Sequence, residues 1–231
     1  MAEFTEKVQD FFTNAEINNS QMMNMLSEFL TVEQGGEELY EKALTLVFDP
    51  EVKSKFKEYL EQTRNHQKVL TNVIKRLGGN PKMQSPTAKL AEEKAQSLLK
   101  SMSKSGLSKE QRQLNAIENI VLAETKDHAD WELLGKIARQ TNDGELRDVL
   151  MPAVKEVEDQ EDEHLNWPRT KMAELAMVSL TQEDDSNEVK ALDQSESSNG
   201  GGKTRGRAQK ARKSRTTAHS NGRKHNGRRR A

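Results

Sequence analysis

Three histidines lie in the part of the chain that carries helical periodicity: His66, His128 and His164. Each falls on the apolar seam of a long helical segment, near its middle. Two share that seam with a glutamate, Glu124 with His128 and Glu161 with His164. An ionised carboxylate is costly in a low-dielectric interior and tends to take up a proton instead. Several together also repel. A divalent cation relieves both costs, and carboxylate oxygen with imidazole nitrogen suits iron, manganese or zinc. The pattern points to a metal site inside a helical core. For one histidine a satisfied core imidazole is the commoner fate; three on three seams carry more weight.

The elements that must position these residues are helical. Alternating β-branched runs do not occur, and Ala, Leu, Glu, Lys and Gln dominate. The fold class is all-α, with four long segments. The first covers 18–47, with a seam of Leu26, Leu30, Glu33, Gly36 or Glu37, Tyr40, Leu44 and Val47 at steps of three and four. The pair Gly35-Gly36 inside it costs about 1 kcal/mol per glycine relative to alanine, which points to a close neighbour or a bend. The second covers 50–77, with Asp49 as cap, Pro50 in the first turn, and Gly78-Gly79 beyond its end. Its seam is Phe56, Tyr59 or Leu60, Thr63, His66, Leu70, Val73 or Ile74, and Leu77. A shorter amphipathic helix near 87–103 fills the connection that follows. The third covers 108–140, opened by the capping box Ser108-Lys-Glu-Gln111, with a seam of Leu114, Ile117, Val121, Glu124, His128, Trp131, Gly135 and Ala138. The fourth covers 144–167 and continues towards 178, with Leu150, Val154, Val157, Glu161 and His164 inward; Pro152 and Pro168 predict a kink or restart.

The segment midpoints fall near 33, 64, 124 and 161, so Glu33, His66, Glu124 and Glu161 lie within about two residues of them, roughly 3 Å along a helix. In an antiparallel bundle these midpoints share one level. The side chains should therefore converge on a polar layer in an otherwise apolar core. Glu161-x-x-His164 sends both groups to one place, since i and i+3 share a face.

These residues resemble a family. The ferritin-like di-iron and di-manganese carboxylate bundles take a Glu from each of two helices and Glu-x-x-His from each of the other two. Here Glu33, Glu124 and Glu161-x-x-His164 match, over about residues 18–167, while Thr63-x-x-His66 carries Thr where the family has Glu. The resemblance implies an antiparallel ferritin-like four-helix bundle with a short extra helix in the second connection. It implies one or two iron or manganese ions, with zinc left open, and ferroxidase-like or peroxide-processing oxidoreductase chemistry. Three carboxylates give −3 against +4 for two divalent ions. Glu37, one turn along the first helix, or His128, one turn along the third, would complete the set; otherwise the site holds one metal or none.

Other residues have plainer readings. Tyr40, Tyr59 and Thr63 stand near the layer, either as hydrogen-bond partners behind the ligands or as core residues with a polar tip. Trp131 and Trp167 read as packing. The run EVEDQEDE (156–163) is a solvated face apart from Glu161. Phosphate loops, dinucleotide fingerprints and a Ser-His-Asp order are absent. With no cysteine, disulfides, thiolate metal sites and thiol catalysis are excluded.

The net charge of −1 hides a division. Residues 203–230 hold twelve Lys/Arg and no acid, which leaves 24 basic and 37 acidic residues in 1–202, a formal −13. The expected organisation is a helical domain over 1–180, an acidic then Ser/Gly-rich linker over 181–202, and a disordered basic tail over 203–231. The tail cations are Lys203, Arg205, Arg207, Lys210, Arg212, Lys213, Arg215, Arg223, Lys224, Arg228, Arg229 and Arg230. Such a polyelectrolyte suits nucleic-acid phosphate backbones, bound without sequence preference. An anionic membrane surface or the acidic body of a second subunit are alternative partners, and homo-oligomerisation stays open. The plan resembles the DNA-protecting mini-ferritins in architecture only, because the metal residues do not match. The N-terminus lacks a basic-then-apolar signal and no run approaches 18 apolar residues, so a cytoplasmic, nucleoid-associated protein is expected. The reading is a metal-handling protein held to nucleic acid by its tail. The alternative is a non-catalytic nucleic-acid-associated scaffold with a vestigial site.

Overall fold

Among the described residues, every helix start is marked by a side chain that accepts a hydrogen bond from an otherwise unpaired backbone N–H. The computed structural model describes residues 17–181, within a unit spanning Met1–Gln182. The expected linker from 182 onward and the basic tail lie outside the described residues. Five helices and no strand occur among the described residues: α1 (Asn19–Leu44), α2 (Pro50–Arg76), α3 (Pro86–Met102), α4 (Lys109–Gln140) and α5 (Gly144–Thr181). Asn18 caps α1, Asp49 caps α2, and Ser85 caps α3. Ser108 and Gln111 form the reciprocal box at α4. Asp143 accepts from Leu146 N–H at α5, at 3.0 Å. The α2 stop is a glycine turn: Gly78 adopts φ 77°, and Gly79 N–H reaches back to the Ile74 carbonyl at 2.8 Å.

The first helix ends at Leu44, three residues before the expected boundary, and Val47 lies in the turn that follows. The larger correction concerns α5. The expected restart at Pro152 or Pro168 does not occur; one helix of 38 residues runs through both. Proline removes one N–H and crowds the preceding turn. The flanking apolar contacts hold the helix regardless: Val149, Leu150, Ala153 and Val154 are buried around the first, and Pro168 is itself buried at the second.

α1, α2, α5 and α4 touch in that cyclic order, and the backbones of the diagonal pairs stay apart. Neighbours run antiparallel. Lys55 pairs with Glu163 and Lys171 with Glu51 along α2 and α5. Gln113, at the start of α4, accepts from Phe48 and Asp49 N–H in the turn that leads from α1 into α2. α2 and α4 therefore point the same way, and their connection must travel the length of the helices. α3 makes that journey along α1 and α4: Ser85 at its start donates to Asn24 O, and Ser101 at its end donates to Asn119 Oδ1. Gly35 permits the approach, since a Cβ there would stand 2.7 Å from Ala95 Cβ.

The apolar interior falls into two clusters. One gathers Leu26, Leu30, Leu70, Ile74, Leu134, Leu150 and Val157; the other gathers Leu39, Tyr40, Phe56, Tyr59, Ile117 and Ile120. Burying a side chain of this size stabilises by roughly 1.5–3 kcal/mol. Between the clusters sit buried charged and polar groups: Glu33, Thr63, His66, Glu124, Asp127, Glu161 and His164.

Candidate metal centre

Each of the four long helices contributes to this layer near its own middle. Glu33 comes from α1, Thr63 and His66 from α2, Glu124 and Asp127 from α4, Glu161 and His164 from α5. None is more than 5% exposed. The two histidines are oriented by a reciprocal device. His66 Nε2 donates to Gln160 Oε1 at 2.8 Å, and His164 Nε2 donates to Gln62 Oε1 at 2.8 Å. In each helix the glutamine that serves the other helix stands four residues before the histidine, so both lie on one face. With Nε2 holding a proton for the glutamine, each ring presents Nδ1 to the interior. The rings stack with centroids 5.5 Å apart, and Tyr59 covers His164 at 4.3 Å.

What meets those inward nitrogens is a set of acids, each with at least one oxygen that lacks a hydrogen-bond partner. His66 Nδ1 lies 2.9 Å from Glu161 Oε1 and 3.5 Å from Glu33 Oε1. His164 Nδ1 lies 3.5 Å from Glu124 Oε2 and 3.8 Å from Glu161 Oε1. These contacts lack the alignment of hydrogen bonds. Both Nδ1 atoms, both Glu161 oxygens, Glu33 Oε2, Glu124 Oε2 and Asp127 Oδ1 are buried and unsatisfied. A buried polar group without a partner costs about 1–3 kcal/mol, and more when charged. Native interiors leave few such groups, yet here they share one spot. Two sets could hold a metal ion: His66, Glu161 and His164, and Glu33, Asp127 and Glu161, with ligand atoms in each set within 4.8 Å of one another. Glu161 is common to both.

Electrostatics in the cation-free state follow from burial. Desolvation, then the charges of Glu33 and Glu124, push Glu161 up to about 7, against the pull of His66. Burial opposes charge on His66, but the Glu161 and Glu33 carboxylates overcome it and raise the ring to about 10. Burial, then Glu33, Glu161 and Glu124, hold Asp127 well above the ordinary aspartate range. Burial lifts Asp130 to about 6 despite its contact with Lys126. Burial, then Glu124 and Glu161, raise the Tyr40 phenol, and burial, Glu163 and Glu58 raise Tyr59. The layer thus keeps protons that ordinary surface groups would lose. A cation would displace them.

Two of the residues expected at the site stand elsewhere. Glu37 is half-buried and faces outward, where Arg64 Nε donates to Oε1 and Gln67 Nε2 to Oε2, both at 2.7 Å. Those partners hold its pKa below the usual value against the opposing effect of burial. His128 is also only half-buried, and its Nε2 pairs with Asp162 Oδ1 at 2.9 Å. The seam drawn for α4 steps one residue too far in places: Ile120, Asp127 and Leu134 face the core where Val121, His128 and Gly135 were expected, although Gly135 is buried too. Asp127 and the two glutamines were not anticipated. Trp131 does more than pack, since its indole N–H donates to Glu33 Oε1 at 2.8 Å. The repeated spacing Gln62-x-x-x-His66 and Gln160-x-x-x-His164 was the available signal for the glutamines.

Residues 19–123 match the family described as a domain of unknown function, DUF892. The match spans α1 to the first half of α4, a little under half of the chain, and includes Glu33 and His66 but not the acids and imidazole that follow. No curated protein and no solved structure matches the chain. Among the described residues, no helix is long and apolar enough to cross a membrane.

Proposed function

We propose that this is a ferritin-like four-helix-bundle protein that binds two divalent cations, iron or manganese, at the polar layer. The observation that carries the reading is the cross-helix pairing of His66 with Gln160 and His164 with Gln62. It turns two inward nitrogens towards unsatisfied carboxylates. Metal-bound imidazoles generally donate their other N–H in this way. Asp127 answers the charge question left by Thr63. Glu33, Glu124, Asp127 and Glu161 give −4 against +4. His66 and His164 would hold one ion and Glu33 with Asp127 the other, with Glu161 shared and Glu124 beside His164. Nitrogen and oxygen donors of this kind suit iron, manganese or zinc, and the resemblance to the di-iron and di-manganese bundles is what points to the first two.

Bound there, such ions would supply electron transfer to dioxygen or peroxide. The chain's own residues orient the ligands, shed protons as cations arrive, and exclude water with Tyr40, Tyr59 and Trp131. The basic segment 203–231 would hold this body to nucleic acid through phosphate contacts. The test is metal analysis of the full chain purified without chelators, with ferrous oxidation followed under air. About two iron or manganese ions per chain and a thermal shift on adding them are expected. Substoichiometric metal with no shift would overturn the reading and leave a nucleic-acid-bound scaffold with a vestigial site, the alternative that Thr63 favours. Deleting residues 203–231 should abolish DNA retention without changing metal content.

A further inference from the structure

A cavity of about 230 Å³ lies between α4 and α5 and reaches from the surface to Glu161. Glu161, the most deeply buried acid of its lining, has no hydrogen-bond partner on either carboxylate oxygen. Trp131 and Val154 form apolar walls. Its mouth is charged: His128 and Asp162 joined at 2.9 Å, with exposed Glu132 and Glu158, opposed by Arg139, 4.0 Å from Glu158, and by Lys136, 3.6 Å from Glu132. Three larger cavities are lined by none of the layer's acids or imidazoles.

Acids at the mouth of a cleft with low-dielectric walls concentrate counter-ions and raise on-rates by about 10–10³-fold. An imidazole and a carboxylate in contact offer an arriving cation a nitrogen and an oxygen at once. We propose that this cleft is the route by which a divalent cation reaches Glu161, and that His128 with Asp162 is its first binding station. The inference rests on the metal-site reading above and adds its direction of access. It also gives His128 a task that its half-buried place on α4 allows and a place in the layer does not.

The test uses manganese(II) mixed rapidly with the metal-free full chain, the free ion followed by EPR. The paired substitution Asp162→Asn and Glu158→Gln should slow uptake about tenfold and leave the final occupancy unchanged. Arg139→Gln should speed uptake, an opposite sign that mere loss of stability would not produce. Glu156→Gln, an exposed acid of α5 whose side chain bonds Asn65 of α2, is the control and should leave the rate as it was. Equal slowing by the control would reduce the effect to net charge and overturn the route. So would unchanged rates in the paired variant, or a loss of occupancy matching the loss of rate. Wild-type protein that takes up no manganese, iron or zinc would overturn the site itself; normal occupancy with unaltered rates would overturn the route alone.

Discussion

His66 on α2 and Gln160 on α5 are joined at 2.8 Å, and the same bond runs in reverse between His164 and Gln62. The two helices therefore fix each other's imidazoles, and neither ring can turn without breaking a bond to the opposite rod. Partners of this kind typically contribute 10–100-fold to metal affinity. Gln160→Leu should weaken metal binding by that factor in a chelator competition while far-UV circular dichroism stays unchanged. Gln160→Glu, which still accepts from Nε2, should recover most of the loss. Equal losses in both variants would mean that packing, and not the accepted proton, sets the affinity.

Glu161 belongs to both candidate sets and Asp127 to one. Glu161→Gln should remove all bound metal, whereas Asp127→Asn should leave about one ion per chain by mass spectrometry. Without metal the order of stability should reverse. Asp127→Asn removes a buried acid that neighbours of like charge disfavour, so the melting temperature of the cation-free protein should rise, whereas Glu161→Gln also removes the partner of His66 and should gain less. A gain of 1 kcal/mol corresponds to about 2–4 °C in a domain of this size. An unchanged or lower melting temperature in Asp127→Asn would contradict the burial argument.

The cation-free protein should lose stability as pH rises. Glu161 is raised from 4.5 to about 7, so the folded state holds more proton than the unfolded between those values. His66 is raised from 6.5 to about 10, and the same inequality applies across that interval. In both windows stability falls with increasing pH; the His66 contribution is complete below 6.5 and gone above 10. Denaturant midpoints measured with chelator should decline from pH 5 to pH 9, and added metal should flatten the decline. A rise over that range would contradict the raised values.

Gly35 allows α3 to lie against α1 beside the layer, with Ala95 Cβ 2.7 Å from where a Cβ would stand. Gly35→Ala adds helix propensity but overpacks this contact, at a cost of about 1–3 kcal/mol. Chemical denaturation should show net destabilisation, and Gly35→Ala with Ala95→Gly should restore most of it. Stabilisation by the single substitution would mean that α3 can shift freely.

The long helices were legible because their seams and caps agree: Asp49 with Pro50, and Ser108 with Gln111, each mark a start that the structure keeps. Glu33, His66, Glu124, Glu161 and His164 could be placed at one height from segment midpoints alone. Asp127 could not. On α4 the residues three and four after Glu124 flank the same seam, and hydrophobicity offers no choice between an aspartate and a histidine. Three neighbouring helices, α1, α3 and α5, widen the buried face of α4 until Asp127 falls inside it and His128 on its shoulder. Pro152 and Pro168 are illegible for a related reason: the sequence shows the local backbone cost of a proline but not the tertiary contacts that meet it.

The interior is split into two greasy halves with the ionisable stratum between them. Such rods are glued at both ends and loosest at the waist. Hydrogen exchange around residues 33, 66, 124 and 161 should then outpace that of either half when no ion is present. Loading would fasten the waist last and hardest, so the same stratum would decide whether the two halves melt as one body or as two.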